Sequence, residues 1–189
     1  MDQLDIIETF VRELIAVEGK PVKVRRLEDA VEYILKAVRE CNAKLVVRSE
    51  FDFAEKMGLD EALNKSGVKV VSVSTLRDPR EIIKDADIGV TGADFAVAEI
   101  GSIGIVTDRE ADRLVSALPY IHIALLNSKD ILHNLADLKE VLEKYLHNSS
   151  RRNNVVSLIT GPSRTADIEQ QHILGVHGPN QLHVIILEG

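Results

Sequence analysis

Apolar residues recur three and four apart at the start of the chain and form short unbroken runs further on. Leu4, Ile7, Phe10, Val11, Leu14 and Ile15 mark one stripe of an amphipathic helix over residues 2–17, with an acidic outer face. Gly19 and Pro21 end it. Leu27, Ala30, Val31, Ile34, Leu35 and Val38 repeat the period in a second helix. Glu28 and Asp29 stand in its first turn and Lys36 and Arg39 near its end, the order that the helix dipole favours. Residues 1–40 are thus a helical lead-in, a scaffold or docking surface, with residues 1–20 expected as a separable arm.

From Lys44 the pattern changes. Leu45-Val46-Val47 is a short β-branched run, followed by helical stretches at Phe53 to Met57 and Leu59 to Leu63, interrupted at Gly58. Val68 to Val73 and Ile88 to Val90 read as strands, with one or two helical turns at Arg80 to Asp85 between them. Ser102 to Thr107 is a strand reached without a long helix. A charged excursion of Asp108, Arg109, Glu110, Asp112 and Arg113 follows, and Arg113 to Leu118 reads as a short helix ending at Pro119. Tyr120 to Leu126 is a strong strand. Ile131, Leu135, Leu138, Val141, Leu142, Tyr145 and Leu146 give an amphipathic helix, and residues 148–154 a polar loop. Val155 to Ile159 is a strand, Arg164 to Leu174 a helix and Leu182 to Leu187 the last strand. Helices alternate with continuously apolar strands. That predicts an α/β fold with a largely parallel open sheet covered by helices on both faces. Residues 41–189 form the sheet core of a single domain.

Composition narrows the function. The net charge is -7, with 30 acids against 23 bases and no basic tract, so no nucleic-acid partner is expected. Aromatics are 4% and tryptophan is absent, which leaves no platform for stacking bases. No apolar run approaches the ~20 residues of a membrane span. The single cysteine, Cys41, excludes a disulfide framework or a cysteine-ligated cluster within this chain. With an N-terminus unlike a signal peptide, this leads to the expectation of a cytoplasmic location.

Two stretches carry candidate chemistry. Residues 87–107 hold four glycines (Gly89, Gly92, Gly101, Gly104), two acids (Asp94, Glu99) and the hydroxyls of Thr91, Ser102 and Thr107 in an otherwise apolar segment. Glycines admit a close ligand or backbone, and a carboxylate among alanines and valines needs a partner. The segment reads either as the floor of a site or as a tight buried hairpin. The second stretch, Thr160 to Glu169, follows a strand and opens the predicted helix. Gly161 and Pro162 shape the turn, Ser163 or Thr165 caps, and free amides with Arg164 make an anion-binding corner. The alternative is an ordinary capped helix with a surface arginine. His177 lies on a tight glycine-flanked loop. His122, His172 and His183 fit structural hydrogen bonding, and the histidine spacing matches no compact metal motif, so no metal site is expected.

Four motifs then resemble one family. They are Thr91-Gly92-Ala93-Asp94-Phe95-Ala96-Val97-Ala98-Glu99-Ile100-Gly101-Ser102, Leu118-Pro119-Tyr120-Ile121-His122-Ile123, Gly161-Pro162-Ser163-Arg164-Thr165-Ala166-Asp167-Ile168-Glu169 and Leu174-Gly175-Val176-His177-Gly178-Pro179. In this order and spacing they resemble the lactate-utilisation protein C family, whose domain is also called LUD. Ile100 and Tyr120 depart from residues common in it. The resemblance implies a fold similar to ribose-5-phosphate isomerase, glucosamine-6-phosphate deaminase and the CoA transferases. It also implies a role in oxidising L-lactate to pyruvate with two partner proteins that carry iron–sulfur clusters, no cofactor being held by this chain alone.

Three readings follow. In the first, the chain is a subunit of a lactate-oxidising assembly. Asp94 and Glu99 are the catalytic candidates, and Thr91, Gly92, Gly101, Ser102, Gly161, Ser163, Arg164, Thr165 and His177 bind a small carboxylate or phosphate. In the second, Glu99-Ile100-Gly101 resembles the glutamate-x-glycine of CoA transferases, with Glu99 as acyl acceptor. In the third, the chain is a non-catalytic binding scaffold. The first two helices offer a surface for a homo-oligomer.

Overall fold

The computed structural model describes residues 2–147, 155–166, 172–174 and 178–188. Its centre is a six-stranded sheet, made of β1 (Lys20–Val24), β2 (Leu45–Arg48), β3 (Lys69–Ser72), β4 (Ile88–Ala93), β7 (Ile121–Asn127) and β12 (Gln181–Leu187). The strands stand in the order β1-β12-β7-β4-β2-β3, and every pair is parallel. The sequence pattern ended the first helix at Gly19 and Pro21 without showing that the next residues form an edge strand.

Alternate residues of β7 serve opposite faces. Ile121, Ile123 and Leu125 join α2 (Leu27–Glu40) and α3 (Leu59–Lys65) in one core, through Val31, Ile34, Leu59 and Leu63. Ala124 and Leu126 join the other core, with Phe10 and Leu14 of α1 (Gln3–Ala16). Parallel strands buried on both faces need no polar side, which accounts for the continuous apolar runs. Beside that second core, Val47, Val73, Ile83 and Val115 pack α4 (Arg80–Lys84) and α5 (Glu110–Ala117) against the sheet. The N-terminal helix is not detached, because Phe10 and Leu14 are fully buried.

A second sheet, of order β8-β5-β6-β9, is built from β5 (Phe95–Val97), β6 (Ser102–Thr107), β8 (Ile131–Leu132) and β9 (Val155–Ile159). β6 is antiparallel to β5 and β9, while β8 is parallel to β5. The long stretch 87–107 is therefore the end of the central sheet passing directly into a smaller one.

Two helical expectations are corrected. Ile131 and Leu132 pair with Ala96 and Val97, so the helix expected from Ile131 begins only at Leu138, as α6 (Leu138–His147). Asn134 Oδ1 accepts the amides of Ala136 and Asp137 at 2.8 and 3.2 Å, a side-chain turn that interrupts the helical period. The helix expected over Arg164 to Leu174 is replaced in its described parts by a hairpin, β10 (Arg164–Ala166) antiparallel to β11 (His172–Leu174). Asp167 to Gln171 lie outside the described residues.

Candidate functional site

A cavity of about 640 Å³ opens where β2, β4 and β7 end. In parallel α/β sheets the carboxyl ends of the strands are where loops leave space for ligands. Each strand delivers its own polar group to the rim.

At the end of β2, the buried Arg48 clasps Asp60 with two bonds, Nε to Oδ1 at 2.7 Å and Nη2 to Oδ2 at 2.8 Å. Its Nη1 stands 3.2 Å from Glu50, a cavity residue. Glu50 also accepts the hydroxyls of Ser72 and Ser74, at 2.5 and 2.7 Å. Those hydroxyls, with Arg48, hold its carboxyl below the usual carboxylate range.

Beyond β4 comes Asp94. Its Oδ2 accepts the Val106 amide at 2.7 Å, and its Oδ1 accepts the Tyr145 hydroxyl at 3.4 Å. Burial, reinforced by the negative charge of Asp94, pushes the Tyr145 phenol up to about 12. Tyr145 therefore stays protonated and serves as a donor across the neutral range.

Where β6 ends, the Thr107 hydroxyl donates to Asp112 Oδ2 at 2.9 Å and accepts the Arg109 amide at 3.0 Å. The Arg109 guanidinium is held by the Val73 carbonyl at 3.4 Å and stands 4.0 Å from Asp112 Oδ2. Asp112 Oδ1 is buried without a hydrogen-bond partner among the described residues. Burial raises the Asp112 carboxyl above its usual value, despite the opposing pull of Thr107 and Arg109. From the end of β7, Asn127, Lys129 and Asp130 complete the lining.

Six acids face the cavity (Glu50, Asp52, Asp94, Asp108, Asp112, Asp130) against three bases (Lys56, Arg109, Lys129). An anion placed there must therefore sit against the bases, whereas a hydroxyl or a cation finds acceptors on the remaining wall.

The structure divides the residues singled out by the sequence. Gly92 and Asp94 line this cavity. Thr91 is buried beneath it and shares a 2.8 Å hydrogen bond with His122 Nε2. Glu99 is exposed and caps a different turn, accepting the Leu135 amide at 2.9 Å. Ser102 is buried and shares a 2.6 Å hydrogen bond with Thr160, so the two loops do meet, but away from the cavity.

Gly101 and Gly161 have positive φ, 57° and 70°, and both lie under the C-terminal end of α1. A Cβ on Gly101 would come within 2.5 Å of the Glu13–Leu14 backbone, and one on Gly161 within 2.1 Å of the Val17 carbonyl oxygen. At these two positions the close approach is that of a helix, not of a ligand.

The Ser163 amide donates to the Pro179 carbonyl at 2.9 Å. Arg164 and Thr165 belong to β10, so the helix mouth expected to gather an anion there is a strand instead. His177 lies outside the described residues.

Sequence reasoning placed Thr107 in the glycine-rich stretch without giving it a role, and passed over Arg109, Asp112, Lys129 and Tyr145 as site residues. The signal for Arg109 and Asp112 was the charged excursion immediately after a strand.

The remaining histidines of the central sheet are structural. His122 is fully buried, and desolvation followed by repulsion from His183 pushes it down to about 3. His183 bridges the Tyr33 hydroxyl and Gln181 Oε1, each at 3.0 Å, and burial pushes it down to about 4. Among the described residues no group of histidine, cysteine or carboxylate side chains is arranged to hold a metal ion. No helix there is long and apolar enough to cross a membrane.

Comparison with known proteins agrees with this architecture. A crystal structure of a DUF162 family protein from Deinococcus radiodurans has the same fold, with a TM-score of 0.68 at 19% identity over 99% of both chains. Lactate utilization protein C of Halalkalibacterium halodurans is 30% identical over 92% of this chain and 74% of its own length. Lactate utilization protein C 1 of Bacillus mycoides is 32% identical, covering 88% of this chain and 73% of its own. Lactate utilization protein B of Bacillus subtilis matches all of this chain at 25% identity, over 49% of its own length. The LUD domain model matches residues 7–187, and the chain belongs to the LUD domain family.

Proposed function

We propose that this chain serves in lactate utilisation, holding a small 2-hydroxy acid in the cavity at the carboxyl ends of the central strands. The observation that carries this reading is the joint presence of Arg109 and Asp94 on the cavity wall. A guanidinium fixed by a backbone carbonyl suits a carboxylate. A carboxylate held by a protonated tyrosine suits a neighbouring hydroxyl, because Asp94 has acceptor capacity for that hydroxyl beside the Tyr145 bond it already receives. The cavity exceeds what a three-carbon acid fills, which leaves room for a group supplied by a partner.

Oxidation of lactate to pyruvate breaks the O–H and Cα–H bonds, releases two protons to solvent and removes two electrons. In this reading the electrons leave to iron–sulfur clusters in partner proteins, since Cys41 alone supplies no cluster-binding set. The matches to lactate utilization proteins B and C support such a shared system. An acyl-transfer role for Glu99 draws no support from its exposed position on the Leu135 turn.

The test is genetic and biochemical. Deleting the gene in a host with no second copy abolishes growth on L-lactate, and the tagged chain from lactate-grown cells brings down iron–sulfur proteins. Unchanged growth on L-lactate overturns the proposal.

A further inference from the structure

A second cavity, of about 400 Å³, shares Arg109 with the first. Val73, Leu76 and Leu114 lie along it together with Arg77, Arg80 and Arg109. Asp78 and Glu110 are its acids. Three guanidinium groups against two carboxylates reverse, locally, the balance of a chain whose net charge is -7.

The cations are not fully committed to these acids. Arg80 pairs with Glu110 at 2.8 Å, but both side chains are more than 60% exposed (64% and 62%), and such a pair is readily exchanged for a better acceptor. Arg109 is already oriented by the Val73 carbonyl. Guanidinium forks match the tetrahedral oxygens of a phosphoryl group, and three of them along one cleft supply charge-assisted donors to it. A phosphoryl group brings three terminal oxygens to such a cluster, against two on a monocarboxylate.

We infer that this second cavity binds a phosphoryl group, either as free phosphate or as the phosphomonoester end of a larger ligand that passes Arg109 into the first cavity. The inference goes beyond the lactate reading and shares Arg109 with it, but Arg77 and Arg80 do not line the first cavity, so variants at those two positions test it separately.

The test is a nuclear magnetic resonance titration of the full chain with inorganic phosphate and, separately, adenosine monophosphate, with sodium chloride matching the ionic strength. Saturable amide shifts are expected over residues 76–84 and 109–114. The double variant Arg77→Ala, Arg80→Ala weakens phosphate binding by about tenfold or more. Glu110→Gln, which removes the competing carboxylate, tightens it. The L-lactate affinity of both variants stays within about twofold of the parent, as unaltered first-cavity contacts require. Tighter binding of adenosine monophosphate, with shifts reaching Asp94 and Val106, assigns the site to a larger ligand, and equal binding assigns it to free phosphate. Absence of saturable shifts, or unchanged affinity in the double variant, overturns the inference.

Discussion

Asp94 reaches across the junction of the two sheets to take the amide hydrogen of Val106 at 2.7 Å. The bond ties the carboxyl end of β4 to β6, and the Asp94 amide donates to the Gly104 carbonyl at 2.8 Å from the other side. The acid is therefore fixed at the point where the central sheet hands the chain to the smaller one. Its position is set by backbone, which suits a group that must present one face to a ligand.

Asp94→Ala is expected to lower stability by ~1–3 kcal/mol, because it removes a charged acceptor from a partly buried amide. Asp94→Asn keeps an acceptor oxygen and is expected to recover most of that loss while remaining inactive. Urea unfolding separates the two variants, and equal destabilisation by both counts against this assignment.

Asp112 illustrates the opposite compromise. Burial raises its folded carboxyl pKa above the unfolded value near 3.8. The unfolded chain then releases this proton first, so the group costs stability as pH rises through that value and on through the raised one. Asp112→Asn is expected to be more stable than the parent at neutral pH, and to lose that advantage in acid. A parent-minus-variant stability difference that does not change with pH would contradict this.

His122 and His183 set an acid limit. Their folded values lie at about 3 and about 4, below the ordinary 6.5. Below pH 6.5 the unfolded state binds protons that the folded state refuses, so stability falls with pH until the folded values are reached. Both rings are expected to remain neutral at about pH 5 by nitrogen chemical shift, well below the ordinary histidine value. Titration of either ring near 6.5 in the folded protein would refute the burial argument.

Gly101→Ala and Gly161→Ala are each expected to destabilise by ~2–4 kcal/mol, combining a left-handed backbone with a clash against α1. Neither residue lines the cavity, so ligand affinity of the folded fraction is expected to be unchanged. Loss of affinity without loss of stability would return these glycines to the site.

The parallel sheet was legible because its strands are buried on both faces and read as unbroken apolar runs, as in Ile121 to Leu126. The smaller sheet was legible only in part: β6 and β9 read as strands, but β8 has two residues and β5 three, too few for a period of two to stand out, and the separate pair β10 and β11, three residues each, was missed for the same reason. Asp94 was found through the cost of burying a carboxylate among small apolar residues. Glu99 shares that context in sequence, yet beyond β5 it is exposed and accepts the Leu135 amide. Arg109 and Asp112 were missed as site residues because a charged stretch after a strand looks like a solvated loop until the fold curls it over a cavity. Gly101 and Gly161 show the same limit, since sequence gives close approach without saying what approaches.

The most direct test is calorimetric titration of the purified chain with L-lactate, comparing the parent with Arg109→Ala and Glu99→Gln. Saturable binding is predicted for the parent and for Glu99→Gln, with affinity reduced by about tenfold or more in Arg109→Ala. Full affinity in Arg109→Ala, or binding abolished by Glu99→Gln alone, would place the ligand elsewhere and contradict the account.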